Sequence, residues 1–166
     1  MSEQKAFDLL LTYFAEEHGL SKNQAANVAL GIMANIKTIS NYNPGSESGN
    51  SRGILNWSAD GSRMRGLDAL CGKGGDLECQ LNWMIAELEL NRELGVPNEG
   101  NYDSIRTEMI SKPNIRFVAE TFYNKYVGDQ DRSDKEAKAF EIGQEAANYL
   151  AKKNEFLNNY NAVGYL

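Results

Sequence analysis

The stretch that most restricts the fold is residues 21–41. Ala25, Val28, Ala29, Ile32, Met33 and Ile36 recur there at helical spacing, and small or apolar residues stand on nearly every side. A helix that is apolar almost all round has to be covered all round, so the pattern predicts a central buried helix with the rest of the chain packed about it. Its start is written as a capping box, Ser21-Lys22-Asn23-Gln24. The Ser side chain accepts from the Gln24 backbone, and the Gln24 side chain reaches back. Its end falls near residues 38–41, ahead of Asn43-Pro44-Gly45.

The polar loop that follows, residues 41–53, is long for a connection inside a compact domain, and such loops commonly carry function. It closes on Gly53-Ile54-Leu55-Asn56-Trp57, in which residues 54–57 read as a short strand or extended turn. A helix end, a polar loop and an aromatic wall together make a plausible rim for a cleft. Around this centre the spacing predicts further helices. Residues 2–18 carry Phe7, Leu10, Leu11 and Phe14 and stop at Gly19. Asp60 or Ser62 caps a helix through Leu70, and another runs from Leu77 to about Leu94 before Gly95-Val96-Pro97. A weaker helix covers residues 101–111, Pro113 starts the next, and Ser133 caps the last long one. No strand pattern of any length is visible and no internal repeat. The expectation is a mostly α single domain over residues 1–157, with residues 158–166 as a loosely held tail.

Charge narrows the partners. With 17 Lys plus Arg against 23 Asp plus Glu, the net charge is −6, which sets the chain against nucleic-acid phosphates, anionic membranes and anionic wall polymers. No apolar run approaches the roughly 20 residues of a membrane span. The N-terminus lacks the basic-then-apolar pattern of a secretory leader, which predicts a chain kept in the cytoplasm or leaving by a route that needs no cleaved leader. That compartment favours Cys71 and Cys79 as two reduced thiols, a small disulfide loop being the alternative where the surroundings oxidise. Two Cys and the lone His18 are too few for a metal site, so neither metal nor cofactor is expected. His18 lies beside Gly19 at a helix end, where it can serve the last carbonyls.

Several ordered segments resemble the phage tail lysozyme family, whose members degrade peptidoglycan. Leu20-Ser21-Lys22-Asn23-Gln24-Ala25-Ala26 looks like the opening of that family's central helix, Gly31-Ile32-Met33-Ala34-Asn35-Ile36 like its body, and Ser40-Asn41-Tyr42-Asn43-Pro44 like its exit. Ser51-Arg52-Gly53-Ile54-Leu55-Asn56-Trp57-Ser58 is similar to the cleft segment, with Arg63 following at a fitting distance, and residues 80–88 resemble the next helix. The likeness covers about residues 6–150 and implies a lysozyme-like domain with a central buried helix and a cleft loop. It also exposes a departure. The family ends its central helix in a Glu, the general acid, just before the Ser of the exit; Ile39 stands at that position here. The usual Gln before the Trp is Asn56.

Sugar-bond cleavage needs a carboxylic acid to protonate the leaving oxygen, usually with a second carboxylate or a held water opposite. Ile has nothing to give, and loss of a general acid alone costs about 10²–10⁴-fold in rate. Glu47, in the cleft loop, is the substitute acid, with Asp60 as its partner; the alternative is a solvated carboxylate. Lys37 reads as a surface charge. Trp57 and Tyr42 offer rings to stack on a sugar or another planar ligand, or Trp57 is core with its N–H satisfied. Arg52 and Arg63 grip a ligand carboxylate or phosphate, or pair with Asp60 or Asp68. The expected cleft set is therefore Ile39, Ser40, Tyr42, Asn43, Arg52, Asn56, Trp57, Ser58 and Arg63. Three functions follow: a silent lysozyme-like protein whose cleft binds a glycan or a small polar, nucleotide-like molecule such as a host signal; a peptidoglycan hydrolase with a displaced acid; or a structural tail part. The oligomeric state is left open by the sequence.

Overall fold

The computed structural model describes residues 2–59, 61–73, 75–90, 102–128 and 134–165. The capping box forms as written: Gln24 N–H donates to Ser21 Oγ and Ser21 N–H to Gln24 Oε1, both at 3.1 Å. It opens the central helix, α2 (Lys22–Ser40), whose residues from Val28 to Ile36 are all buried. Helices α1 (Ser2–His18), α6 (Ile115–Phe122) and α7 (Lys135–Asn158) pack directly on α2. Gly31 lets α6 approach, since a Cβ there would lie 2.6 Å from Val118 Cβ. Asn35, fully buried, donates to Gly31 O in its own helix and to Ala119 O of α6.

The helix ends in two successive left-handed residues, Asn41 (φ 50°) and Tyr42 (φ 63°). Asn tolerates that conformation; for Tyr it costs on the order of 1–3 kcal/mol. The surroundings hold it there, because the Tyr42 ring is buried and its hydroxyl lies 2.6 Å from Tyr149 Oη of α7.

The chain then makes three two-residue strands, β1 (Glu47–Ser48), β2 (Ser51–Arg52) and β3 (Trp57–Ser58), paired antiparallel in the order β1-β2-β3. Glu47 faces Arg52 and Arg52 faces Trp57 in register. Strands this short cannot show a two-residue alternation, which is why no strand pattern was visible. Of the two readings of residues 54–57, strand or extended turn, the turn holds for residues 54–56, with Asn56 at φ 59°, and only Trp57 pairs as strand.

Helix α3 (Ser62–Cys71) starts after Gly61 without a side-chain cap, and α4 (Leu77–Leu88) is capped by Asp76, which accepts from Cys79 N–H at 2.8 Å. The two meet where Gly66 faces Trp83. The reduced-thiol expectation is corrected here: Cys71 and Cys79 are disulfide-bonded, because the end of α3 and the first turn of α4 bring their Cα atoms to 5.8 Å, inside the bridging range. Helix α5 (Tyr102–Ser111) follows as expected. Helix α6 begins two residues after Pro113, since Asn114 is the cap and accepts from Phe117 N–H at 3.0 Å. A π-helical turn, Tyr123–Val127, extends it. The expected caps Asp60 and Ser133 lie outside the described residues, and Ser62, the other expected cap, is instead the first residue of α3. The helix expected to run to about Leu94 is corrected: it ends at Leu88, where Glu89 leaves the helix and Leu90 turns at φ 59°. The tail is fastened rather than loose: Tyr160 Oη sits 2.8 Å from Thr12 Oγ1, and Tyr165 donates to Glu17 at 2.6 Å. Among the described residues no helix is long and apolar enough to cross a membrane.

Candidate functional site

The exit of α2 and the hairpin form one rim. Ile39, in the last turn of α2, is half-buried and packs its hydrocarbon against the core. Ser40 folds its hydroxyl back onto Ile36 O at 3.1 Å. Asn43 is exposed, and its Oδ1 accepts from Gly45 N–H at 2.9 Å, shaping the Pro44-Gly45 turn. Asn56 and Ser58 are half-buried along the hairpin. Glu47 stands exposed on β1, and its side chain makes no hydrogen bond or ion pair among the described residues.

Gln80, buried in the first turn of α4, pins this rim. Its Oε1 accepts from Ile54 N–H at 2.9 Å, and its Nε2 reaches Pro44 O and Gly75 O, both at 3.0 Å. One side chain thus closes the two ends of the cleft loop onto α4. Sequence reading missed its role, although a signal existed: Gln80 and Glu87, seven residues apart, put polar atoms on a helix face otherwise made of Leu81, Met84 and Leu88.

Behind the hairpin lies a buried charged cluster centred on Glu87, whose residue is 2 % exposed. Arg63 engages it bidentately, Nε to Oε2 at 2.9 Å and Nη2 to Oε1 at 3.1 Å, and donates Nη1 to Tyr126 O. The guanidinium lies between the rings of Tyr102 and Tyr126, 4.6 and 4.5 Å from their centroids. Trp57 Nε1 donates to Glu87 at 3.1 Å, and the Tyr126 hydroxyl donates to the same oxygen. Burial pushes that phenol well above its ordinary range, and the Glu87 charge adds to it, so Tyr126 remains a donor.

These contacts decide between the paired readings of the sequence. Trp57 is fully buried with its N–H satisfied, so its ring is core and is not presented to solvent. Arg52 pairs with Asp68, and Arg63 pairs with Glu87 rather than with Asp68. Asp60 itself lies outside the described residues. His18 binds the Glu89 carboxylate at 2.6 Å, not the last carbonyls of α1, because the end of α4 brings that acid within reach. Lys37 is a surface charge, 3.7 Å from Glu3.

Lys37 and Asn41 share one face of the α2 terminus, while Ile39 points about 200° away from Lys37. On the Lys37 side a cleft of about 600 Å³ opens between the first turn of α1 and the last turns of α2 and α7, lined by Glu3, Lys37, Asn41, Tyr42, Lys152 and Phe156 among others. Tyr42 connects to it through a polar chain: its hydroxyl meets Tyr149 Oη, which donates to Glu3 at 2.9 Å. Among the described residues no group of three or more His, Cys, Asp or Glu is placed to hold a metal ion.

No curated protein and no solved structure matches the chain. The sequence model of the phage tail lysozyme family matches residues 8–153, from the first helix into the last, and so takes in the central helix, the hairpin and the Gln80 and Glu87 anchors. The chain belongs to the phage tail lysozyme family.

Proposed function

We propose that the protein is a catalytically silent member of this family that engages a glycan at the exit of its central helix without cutting it. Family membership links the chain to peptidoglycan. The observation that carries the reading is Ile39: where the resemblance assigns a proton donor, a hydrocarbon is packed into the core edge. Among the described residues, the carboxylates of the hairpin and of the helices behind it are poorly set up to replace it. Asp68 is held by Arg52, Glu87 is buried under Arg63, and Glu47 stands in water on an edge strand with nothing to fix its geometry. Acid catalysis punishes small misplacements, so an unfixed carboxylate is a poor substitute.

Gln80 and the Glu87 cluster still hold the hairpin in place, and that supports binding over simple decay. A cleft of about 600 Å³ falls in the range of small-molecule sites; it opens on the Lys37 side of α2, away from Ile39 and the hairpin, and of the expected cleft residues it takes in Tyr42 alone. Both arginines that would grip a phosphate are already engaged by Asp68 and Glu87, which favours an uncharged glycan over a nucleotide-like host signal.

The test is a pair of assays on purified sacculi. The unaltered protein is expected to co-sediment with them and to leave their turbidity unchanged. Ile39→Glu is expected to gain measurable clearing, since it restores a carboxyl at the end of α2. Clearing by the unaltered protein, abolished by Glu47→Ala, would replace this reading with a hydrolase that uses a displaced acid.

A further inference from the structure

The disulfide does not touch the cleft, yet it is one residue from the side chain that holds the cleft loop. Cys79 is in the first turn of α4 and Gln80 is next to it. Gln80 makes three hydrogen bonds, to Pro44 O and Ile54 N–H at the two ends of the loop and to Gly75 O in the segment linking α3 to α4. Cys71 is the last residue of α3, and α3 also fastens the hairpin, through Asp68 to Arg52 on β2. Gly75 packs against Cys71 so closely that a Cβ on it would lie 2.4 Å from Cys71 Cβ. Both anchors of the hairpin therefore sit on helix ends that the Cys71–Cys79 bond ties together.

We propose that this bond is a redox latch on the cleft loop: oxidised, it fixes the α3 and α4 ends as one platform for the hairpin; reduced, it releases the hairpin while the core stays folded. The bridge lies away from the centre of the core. Helices α1, α6 and α7 pack directly on α2, and neither cysteine belongs to any of these four helices, although Cys71 packs at the edge of the core. Both cysteines are partly exposed, so a small dithiol reaches them. The chemistry balances simply. A dithiol gives two electrons and two protons, the S–S bond becomes two thiols, and the reductant becomes its own disulfide. A chain kept in a reducing host compartment would hold the loop loose, and it would lock on reaching an oxidising one.

The latch stands independently of what the cleft binds, and its test needs no ligand. Amide hydrogen exchange is measured on the oxidised protein, on the protein reduced with dithiothreitol, and on the Cys71→Ser/Cys79→Ser pair. In the two unbridged forms the amides of Arg52, Gly53 and Ile54 are expected to exchange about tenfold faster or more, while the α2 amides from Val28 to Ile36 keep their protection. Gln80→Ala in the oxidised protein should reproduce the loose hairpin with the bridge intact. Unchanged exchange at Ile54 on reduction would overturn the proposal. So would an equal loss of protection in α2, which would make the bond a general staple.

Discussion

Glu87 shows how much of this site depends on a single side chain. Behind the hairpin its two oxygens receive Arg63, Trp57 and Tyr126. Removing one partner of a buried ion pair leaves the other charged and unsolvated, at a cost of about 3–5 kcal/mol. Arg63→Ala should therefore lower Tm by roughly 10 °C for a chain of this size. The double variant Arg63→Met/Glu87→Leu should recover most of that loss, since no lone charge remains. Calorimetry on the three proteins checks it, and equal losses in the single and double variants would refute the account. The same cluster marks a limit of sequence reading. Arg63 and Trp57 could be picked out by type, because few residue types grip anions or stack on rings. Their partner could not, because Glu87 lies 24 and 30 residues further on and only the crossing of α3, α4 and the hairpin brings it to them.

The helices were legible because each carries a period long enough to see. Phe7, Leu10, Leu11 and Phe14 set α1, and the capping box fixed the start of α2 to the residue. The hairpin was not legible, since two-residue strands contain no period. The disulfide was misread because cysteine pairing depends on how α3 meets α4, which spacing alone does not reveal. That meeting rests on Gly66: a Cβ there would fall 2.0 Å from Cη2 of the buried Trp83 ring. Gly66→Ala should cost about 1–3 kcal/mol through overpacking, although Ala is the better helix former. Gly143, inside α7, has open space where its Cβ would go, so Gly143→Ala should stabilise by about 0.5–1 kcal/mol. Opposite signs for two Gly→Ala changes in helices, read by urea titration, would support packing as the cause; the same sign would count against it.

Across the whole molecule, the lone histidine belongs to a knot that ties three helices at the end opposite the tail of α2. Tyr13 and His18 of α1 and Arg106 of α5 all bond the Glu89 carboxylate just beyond α4, and Arg106 also caps Leu88 O at 2.6 Å. Burial pushes the Glu89 carboxyl up, but the hydrogen bonds from Tyr13 and His18 and the Arg106 charge more than offset it, so it is held below the usual carboxylate range. The sign follows. A carboxyl lowered by folding adds stability at pH above the unfolded value of about 4.3 and loses it as pH falls through the lower folded value. Asp8, raised by burial, acts in the opposite sense and loses its contribution as pH rises. Glu89→Gln removes the titrating charge while keeping an acceptor. The unaltered protein should therefore exceed this variant in Tm by a steady margin near pH 6, and the margin should shrink as pH is lowered through the carboxylate range. A margin that stays constant from pH 6 to pH 3 would show that Glu89 contributes shape rather than charge, and would remove the electrostatic tie between α1, α4 and α5.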